Sequence, residues 1–174
     1  MGVLSRIFSI KSKPVTQITS SSAKVVSHTV AGTNFHQKEI QAMGHKNPDF
    51  ALDKRSLLKR WPKGVTVYEY AFCPKKAVLV PEPENPHDPK AIKVLVDDVH
   101  VGYIKAGSCA HIHKLLKDNR IHKIEPKIIG GKYKALYSYD AMAKKSEDFE
   151  FEKGSSSFGV RLDITELPAL NNKA

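Results

Sequence analysis

The sequence is short of cysteine, holds a single tryptophan and has no long apolar run. Its two cysteines, Cys73 and Cys109, have no CxxC neighbour, so they supply neither a zinc ligand set nor a disulfide framework. A reduced, cytoplasmic setting is therefore expected, or a nucleoid-associated one in a bacterium. No stretch approaches the roughly 18 uninterrupted apolar residues of a membrane span, so the chain reads as soluble and no membrane partner is expected. HExxH is absent, and His111 and His113, two apart on an expected helix, point to nearly opposite sides; no metal site is expected. A Gly-rich run ending in Lys-Ser/Thr is missing too, which excludes nucleotide hydrolysis by a P-loop, and no GxSxG elbow occurs. No cofactor is implied. The opening Met1–Ile10 is broken by Arg6, is too short for a secretory core, and carries Arg6 where myristoylation wants Ser or Thr.

Acidic residues are also outnumbered. The 174 residues carry 28 Lys and Arg against 18 Asp and Glu, a net charge of +10. Residues 1–60 are net +7, 61–139 net +5 and 140–174 net −2. Of the cations 23 are Lys, the residue of loose phosphate attraction rather than forked recognition. Such an excess points to a polyanion bound in a salt-sensitive way with little reading of sequence, or only to a soluble basic protein.

Residues 1–23 are Ser/Thr-rich and aperiodic and read as a basic tail, with a short amphipathic turn at Val3–Ile10. Order is expected over 24–166, with 167–174 a second tail. The β-branched run Lys24–Ala31, closed by Gly32, reads as a strand. Asn47-Pro48-Asp49 starts a helix by capping and dipole chemistry. Its apolar stripe is Phe50, Ala51, Leu57, Leu58 and Trp61, and Pro62-Lys63-Gly64 stops it. Lys54, Arg55, Lys59 and Arg60 fall on its outer face, solvated or tracking phosphates. Strands are expected at Val65–Cys73, Lys76–Val80 and Ala91–Val96, the last returning through Asp97-Asp98 as a hairpin to Val99–Ile104. Gly107-Ser108 caps a second helix with Cys109, Ile112, Leu115 and Leu116 inward. Strands at Ile124–Ile129 and Tyr133–Tyr139 follow, separated by Gly130-Gly131. An acidic loop, Ala143–Ser157, precedes a final strand at Phe158–Ile164. Short strands with frequent turns predict a mainly β fold: a small OB/SH3-like β-barrel with two attached helices.

The chemistry concentrates between Leu79 and Val94. Four prolines, at 81, 83, 86 and 89, make a stiff connection between two strands, since proline pre-sets φ. Such a corner can hold Asn85, His87 and Asp88 in fixed directions, or merely join strands. Glu82, Glu84 and Asp88 beside Lys90 and Lys93 allow a metal-dependent nuclease as an alternative, although Pro89 sits where such sites have a strand residue. Tyr103 lines a groove or the core. Gly130-Gly131-Lys132-Tyr133 approaches a bound backbone or forms a β-bulge. Lys93, Lys105 and Lys132 would contact phosphates if the fold turns them to one side.

The run Glu82-Pro83-Glu84-Asn85-Pro86-His87-Asp88-Pro89-Lys90-Ala91-Ile92-Lys93-Val94, with Gly102-Tyr103-Ile104 eight residues on, resembles the core motif of the HIRAN domain family. Val30-Ala31-Gly32-Thr33-Asn34-Phe35-His36 resembles that family's opening motif, and the likeness runs from about Val25 to Leu116 and on toward Ile164. The resemblance implies an OB-like barrel that takes the 3′ end of single-stranded DNA. Aromatics stack on the terminal bases and an Asp accepts the free 3′-hydroxyl. Carried onto this chain, Asp88 would accept that proton, Asn85 would shape the pocket, His87 would replace an aromatic and Phe35 would stack. Asn34 stands where a well-known member has Arg, and His36 and His87 where it has Tyr, so a weaker grip is expected. The expected partners are single-stranded DNA, other nucleic acid and DNA-processing proteins. A protein-interaction module docking through residues 1–23 or the acidic loop is the third reading.

Overall fold

A computed structural model describes residues 23–140 and 146–169. The tail expected at 1–23 falls outside these residues except for Ala23, that expected at 167–174 does so from residue 170 on, and part of the expected acidic loop also lies outside.

Nine strands are found among the described residues: β1 (Lys24–Ala31), β2 (His45–Lys46), β3 (Val65–Tyr68), β4 (Tyr70–Ala71), β5 (Ala77–Pro81), β6 (Ile92–Val96), β7 (Val99–Ile104), β8 (Ile121–Tyr137) and β9 (Glu150–Glu166). Seven form one sheet in the order β3-β8-β9-β1-β7-β6-β5, while β2 and β4 pair separately. All the pairings are antiparallel. The fold is mainly β, as the spacing of short strands predicts. The sheet is open, with β3 and β5 as its two edges. Helices α1 (Gln37–Ala42), α2 (Lys54–Arg60) and α3 (Ala106–Lys117) attach to it, one more than expected.

Strand alternation builds the core. Val30, Leu79, Ile92, Val94, Val96, Val101 and Ile104 turn inward from β1 and β5–β7. They meet Cys109, Ile112 and Leu115 from α3 and Phe158, Val160, Leu162 and Ile164 from β9. Leu116, expected among the inward residues of α3, is only half-buried. A second cluster gathers Leu57, Val67, Leu136 and Phe149, with Phe50, Leu58 and Trp61 packed against it.

Four segments depart from expectation. The single strand expected over Val65–Cys73 is two, β3 in the large sheet and β4 paired with β2. The single helix expected from Pro48 to Trp61 is a 3-10 turn, Pro48–Ala51, followed by α2. Asn47 caps the first through the Asp49 amide, Leu52 is extended, and Asp53 starts α2 by accepting from the Ser56 amide; a second good N-cap inside the window restarts the helix. The two strands expected at 124–129 and 133–139 are the single strand β8. The register slips between Ile129 and Gly131, so Gly130-Gly131 form the β-bulge and not a chain break. The expected acidic loop is overturned over residues 150–157, which are strand. There β9 pairs with β8 from Tyr137–Glu150 to Gly131–Ser156, and a continuous cross-strand ladder outweighs the poor strand preference of Glu, Gly and Ser.

Two devices fix the geometry that matters below. Asp97 and Asp98, with φ of 45° and 68°, close the β6–β7 hairpin, while the Asp97 carboxylate accepts from the Lys75 and Lys76 amides. Gly102, at φ 141°, brings β7 close enough to β1 that a Cβ would lie 2.2 Å from the Ala31 carbonyl oxygen. Only glycine satisfies both conditions.

Candidate nucleic-acid interface

The surface face of β5, β6, β7 and β1 follows from strand parity. Val80 pairs with Lys93, Lys93 with Tyr103, and Tyr103 with Ala31, so these four share one row on the side opposite the core. A bulge between Val94 and Leu95 places His100 opposite Leu95, and this re-aims the imidazole toward the Tyr103 ring. Their centroids stand 5.0 Å apart, edge to face. His36 lies on the other side of His100, at 4.2 Å. Three rings therefore form a continuous row.

His36 reaches that place because β1 ends in a tight turn. Gly32 is left-handed, its carbonyl accepts from the Phe35 amide, and Thr33–His36 wind into a 3-10 turn. Gln37 then locks the turn to the sheet. Its side chain donates to the Thr33 and Phe158 carbonyls and accepts from the Phe158 amide. Phe158 lies where β1 has already left β9 for β7, so an amide side chain stands in for the missing strand. The anchored turn displays Phe35 at 87% exposure, a ring held out from the surface with nothing buried in return.

Beside the ring row Glu82 acts as a hub. It forms an ion pair with Lys93, accepts from Asn85 Nδ2 at 3.0 Å and is hydrogen-bonded to Tyr103. Lys93 and then Asn85 hold its carboxyl below the usual range, and Glu82 in turn raises Lys93. Burial, then Glu82, pushes the Tyr103 phenol up. His100 is held lowered by burial and then by His36, which favours a neutral imidazole that donates to the Gly102 carbonyl.

The proline-braced corner is divided between two neighbours. Asn85 Oδ1 accepts from the His87 and Asp88 amides, and the Asn85 amide donates to the Glu82 carbonyl. Asn85 thus sets the course of the loop with nearly all of its polar atoms. Asp88 is half-buried and accepts from the Lys90 amide at 2.8 Å. His113 of α3 bonds the Lys90 carbonyl, and Asp88 is near enough to Cys109 to help raise its thiol, after burial. This end of the corner therefore leans on α3, while the Glu82 end leans on the ring row.

Of the residues singled out in the sequence, His36, Asn85, Lys93 and Tyr103 come together around this row, with Phe35 next to His36 in the chain, whereas Asp88 stands at the α3 end of the corner. Asn34 and His87 are exposed. Lys105 occupies the N-cap position of α3 without a side-chain cap bond, so the Gly107-Ser108 expected to cap this helix lie inside its first turn. Lys132 and Tyr133, neighbours on β8, face opposite ways. Lys132 lines a separate groove with Gln37, Gln41 and Ser155–Ser157, whereas Tyr133 covers Gly154, meets Tyr68 and donates to Glu152. Sequence reasoning missed His100, Gln37 and the hub role of Glu82. His100 had a faint signal: a polar ring between Val99 and Val101, three residues before Tyr103.

Residues 62–143 match a family model described as the HIRAN domain. That span takes in the corner and Gly102-Tyr103-Ile104 but not the Phe35 turn. No curated protein and no solved structure matches the chain.

Proposed function

We propose that the chain, whose residues 62–143 match the HIRAN domain, a family of nucleic-acid-binding domains, binds single-stranded DNA at a free 3′ end. The observation that carries the reading is the exposed Phe35 ring, adjacent in the chain to His36 of the His36–His100–Tyr103 row. Rings at a surface take unpaired bases by stacking, worth about 1–3 kcal/mol per base and tolerant of sequence. Lys93, steadied by Glu82, supplies a cation at the edge of the row. A neutral His100 adds a ring without a further charge.

End selection falls to Asp88. The Lys90 amide occupies Oδ1, and the second carboxylate oxygen accepts a 3′-hydroxyl. An acceptor-only carboxylate suits that donor and repels a phosphate in its place. The corner is stiff enough to hold this direction, because Asn85 and the prolines fix its backbone before any ligand arrives.

Fluorescence anisotropy with matched oligonucleotides ending in 3′-hydroxyl or 3′-phosphate tests the reading. The expected result is at least a fivefold preference for the hydroxyl. Asp88→Asn removes that preference while keeping an oxygen for the Lys90 amide. Equal affinity of the wild type for the two ends would sink end selection and leave strand binding standing. The nuclease reading gains no support from the geometry. Glu82 is bound to Lys93, Asn85 and Tyr103, and no three His, Cys, Asp or Glu side chains among the described residues are placed to share a metal ion.

A further inference from the structure

Two residues beyond Phe35 the surface opens into a second, polar site. Gln37 and Gln41 of α1 form one wall of a groove of about 740 Å³, and Gly131-Lys132 of β8 with Ser155–Ser157 of β9 form the other. The volume lies within the ~300–1,000 Å³ typical of ligand sites, but the lining is mostly hydroxyl, amide and ammonium, with Glu69, Tyr70 and Phe158 completing it. Its origin is topological. β1 accompanies β9 only as far as the Thr29–Arg161 pair. Beyond Phe158 the β9 edge has no strand beside it among the described residues, and backbone groups along such an edge remain free to bond a ligand.

Charge in the groove comes from Glu69 and Lys132. Glu69 is paired with Lys46, at 2.6 Å, and also feels the Lys132 ammonium, and Gln41 donates to the Tyr70 hydroxyl. Lys132 is exposed and has no ion pair among the described residues. An ammonium set among serine hydroxyls and a glycine bulge, with no unanswered carboxylate, matches a phosphodiester better than an apolar or cationic ligand.

We propose that this groove is the channel for the sugar–phosphate backbone of nucleotides lying 5′ of the stacked end, with Lys132 contacting a phosphate. The inference rests on the end-binding reading above and extends it. Gln37 links the two sites, since the side chain that lines the groove also fixes the turn that presents Phe35. The terminal nucleotides meet rings, and the following ones meet hydroxyls and an ammonium.

Binding of oligo-dT with a 3′-hydroxyl, at lengths of about 2, 4, 8 and 12 nucleotides, separates the sites. In the wild type, affinity rises several-fold between the short and long oligonucleotides. Lys132→Gln loses that gain, binds the shortest ligand as the wild type does, and lowers the salt slope for long ligands by about 0.7, the share of one phosphate on a single strand. Ser156→Glu, which puts a carboxylate in the groove, gives the same length-selective loss. Wild-type behaviour of both variants at every length overturns the groove alone and leaves end binding intact. Failure of the wild type to bind any length overturns the end-binding reading and this inference with it.

Discussion

Two regions of the sheet carry aromatic rings at the surface, and they differ in the company those rings keep. Over β1, β6 and β7, Phe35, His36, His100 and Tyr103 stand beside one carboxylate, Glu82, which is answered by Lys93. On the outer stretch of β3, β8 and β9, Tyr68 meets Tyr133, and Tyr137 meets Tyr139. There Glu150 and Glu152 pair in register with Tyr137 and Ala135, and Glu152 pushes the Tyr133 phenol up. The nearby Lys134 ammonium is turned away, toward the Phe50 and Leu52 carbonyls. A ring offers a face to any base, but a phosphate must follow the base. Carboxylates with no ion pair among the described residues repel it at the second region, whereas the first admits it. The count of aromatics does not distinguish the two regions; the charges beside them do.

The sharpest way to break this comparison is to remove one ring from each region. Phe35→Ala is expected to weaken single-strand binding about 5- to 100-fold, the loss of one base stack. Tyr133→Ala is expected to leave binding within about twofold, since its ring belongs to the acidic region. Anisotropy titrations of the two variants at one salt concentration decide it, with a thermal melt to confirm that each is folded. Similar losses in both variants would show that rings alone set the interface and that the charge argument fails.

A smaller effect is expected from two lysines one strand system apart. Lys93→Gln leaves Glu82 as an unanswered carboxylate beside the bound strand, so affinity falls about three- to tenfold and the salt slope drops by about 0.7. Lys134→Gln touches no ligand. It releases two backbone carbonyls from their shared donor and lowers the melting temperature instead, with binding unchanged. If Lys134→Gln weakens binding as much as Lys93→Gln does, the second region also contacts the strand.

Much of the fold is legible in the letters where a local rule decides it. The β6–β7 hairpin follows from two aspartates between β-branched runs, and Gly130-Gly131 mark an interruption that the fold resolves as a bulge. The long β9 is not legible. Glu150–Ser157 has the composition of a loop, and only pairing with the preceding strand β8 makes it a strand. The interface divides in the same way. Phe35 and the corner stand out because glycine and proline punctuate them. His100 and Gln37 do not, because their roles come from a register slip and from a strand that departs. Glu82 reads as a metal-ligand candidate in the sequence and is a hydrogen-bond hub in the fold, since the register that opposes Lys93 and Tyr103 is a tertiary fact.

The smallest expected effect concerns acid, and it involves two histidines in different places. His28 on β1 is lowered by burial and then by His111, with Glu166 opposing; its Nε2 is buried with no partner. His100 in the ring row is lowered by burial and then by His36. Each is more easily protonated in the unfolded chain, where an imidazole titrates near 6.5. Their contribution to stability is therefore complete above that value and is lost as pH falls through it toward the folded-state value. Melting temperature should drop by about 2–5 °C between pH 7.5 and 5.5, a modest shift for a domain of this size. His28→Leu, which removes the orphaned nitrogen, should flatten the acid side of the curve. His100→Phe should flatten it less while keeping a ring between His36 and Tyr103. An acid limb unchanged in both variants would place the sensitivity elsewhere. In that case the ring row would keep its electrostatic character across the whole range, and strand binding in His100→Phe would show the same pH dependence as the wild type.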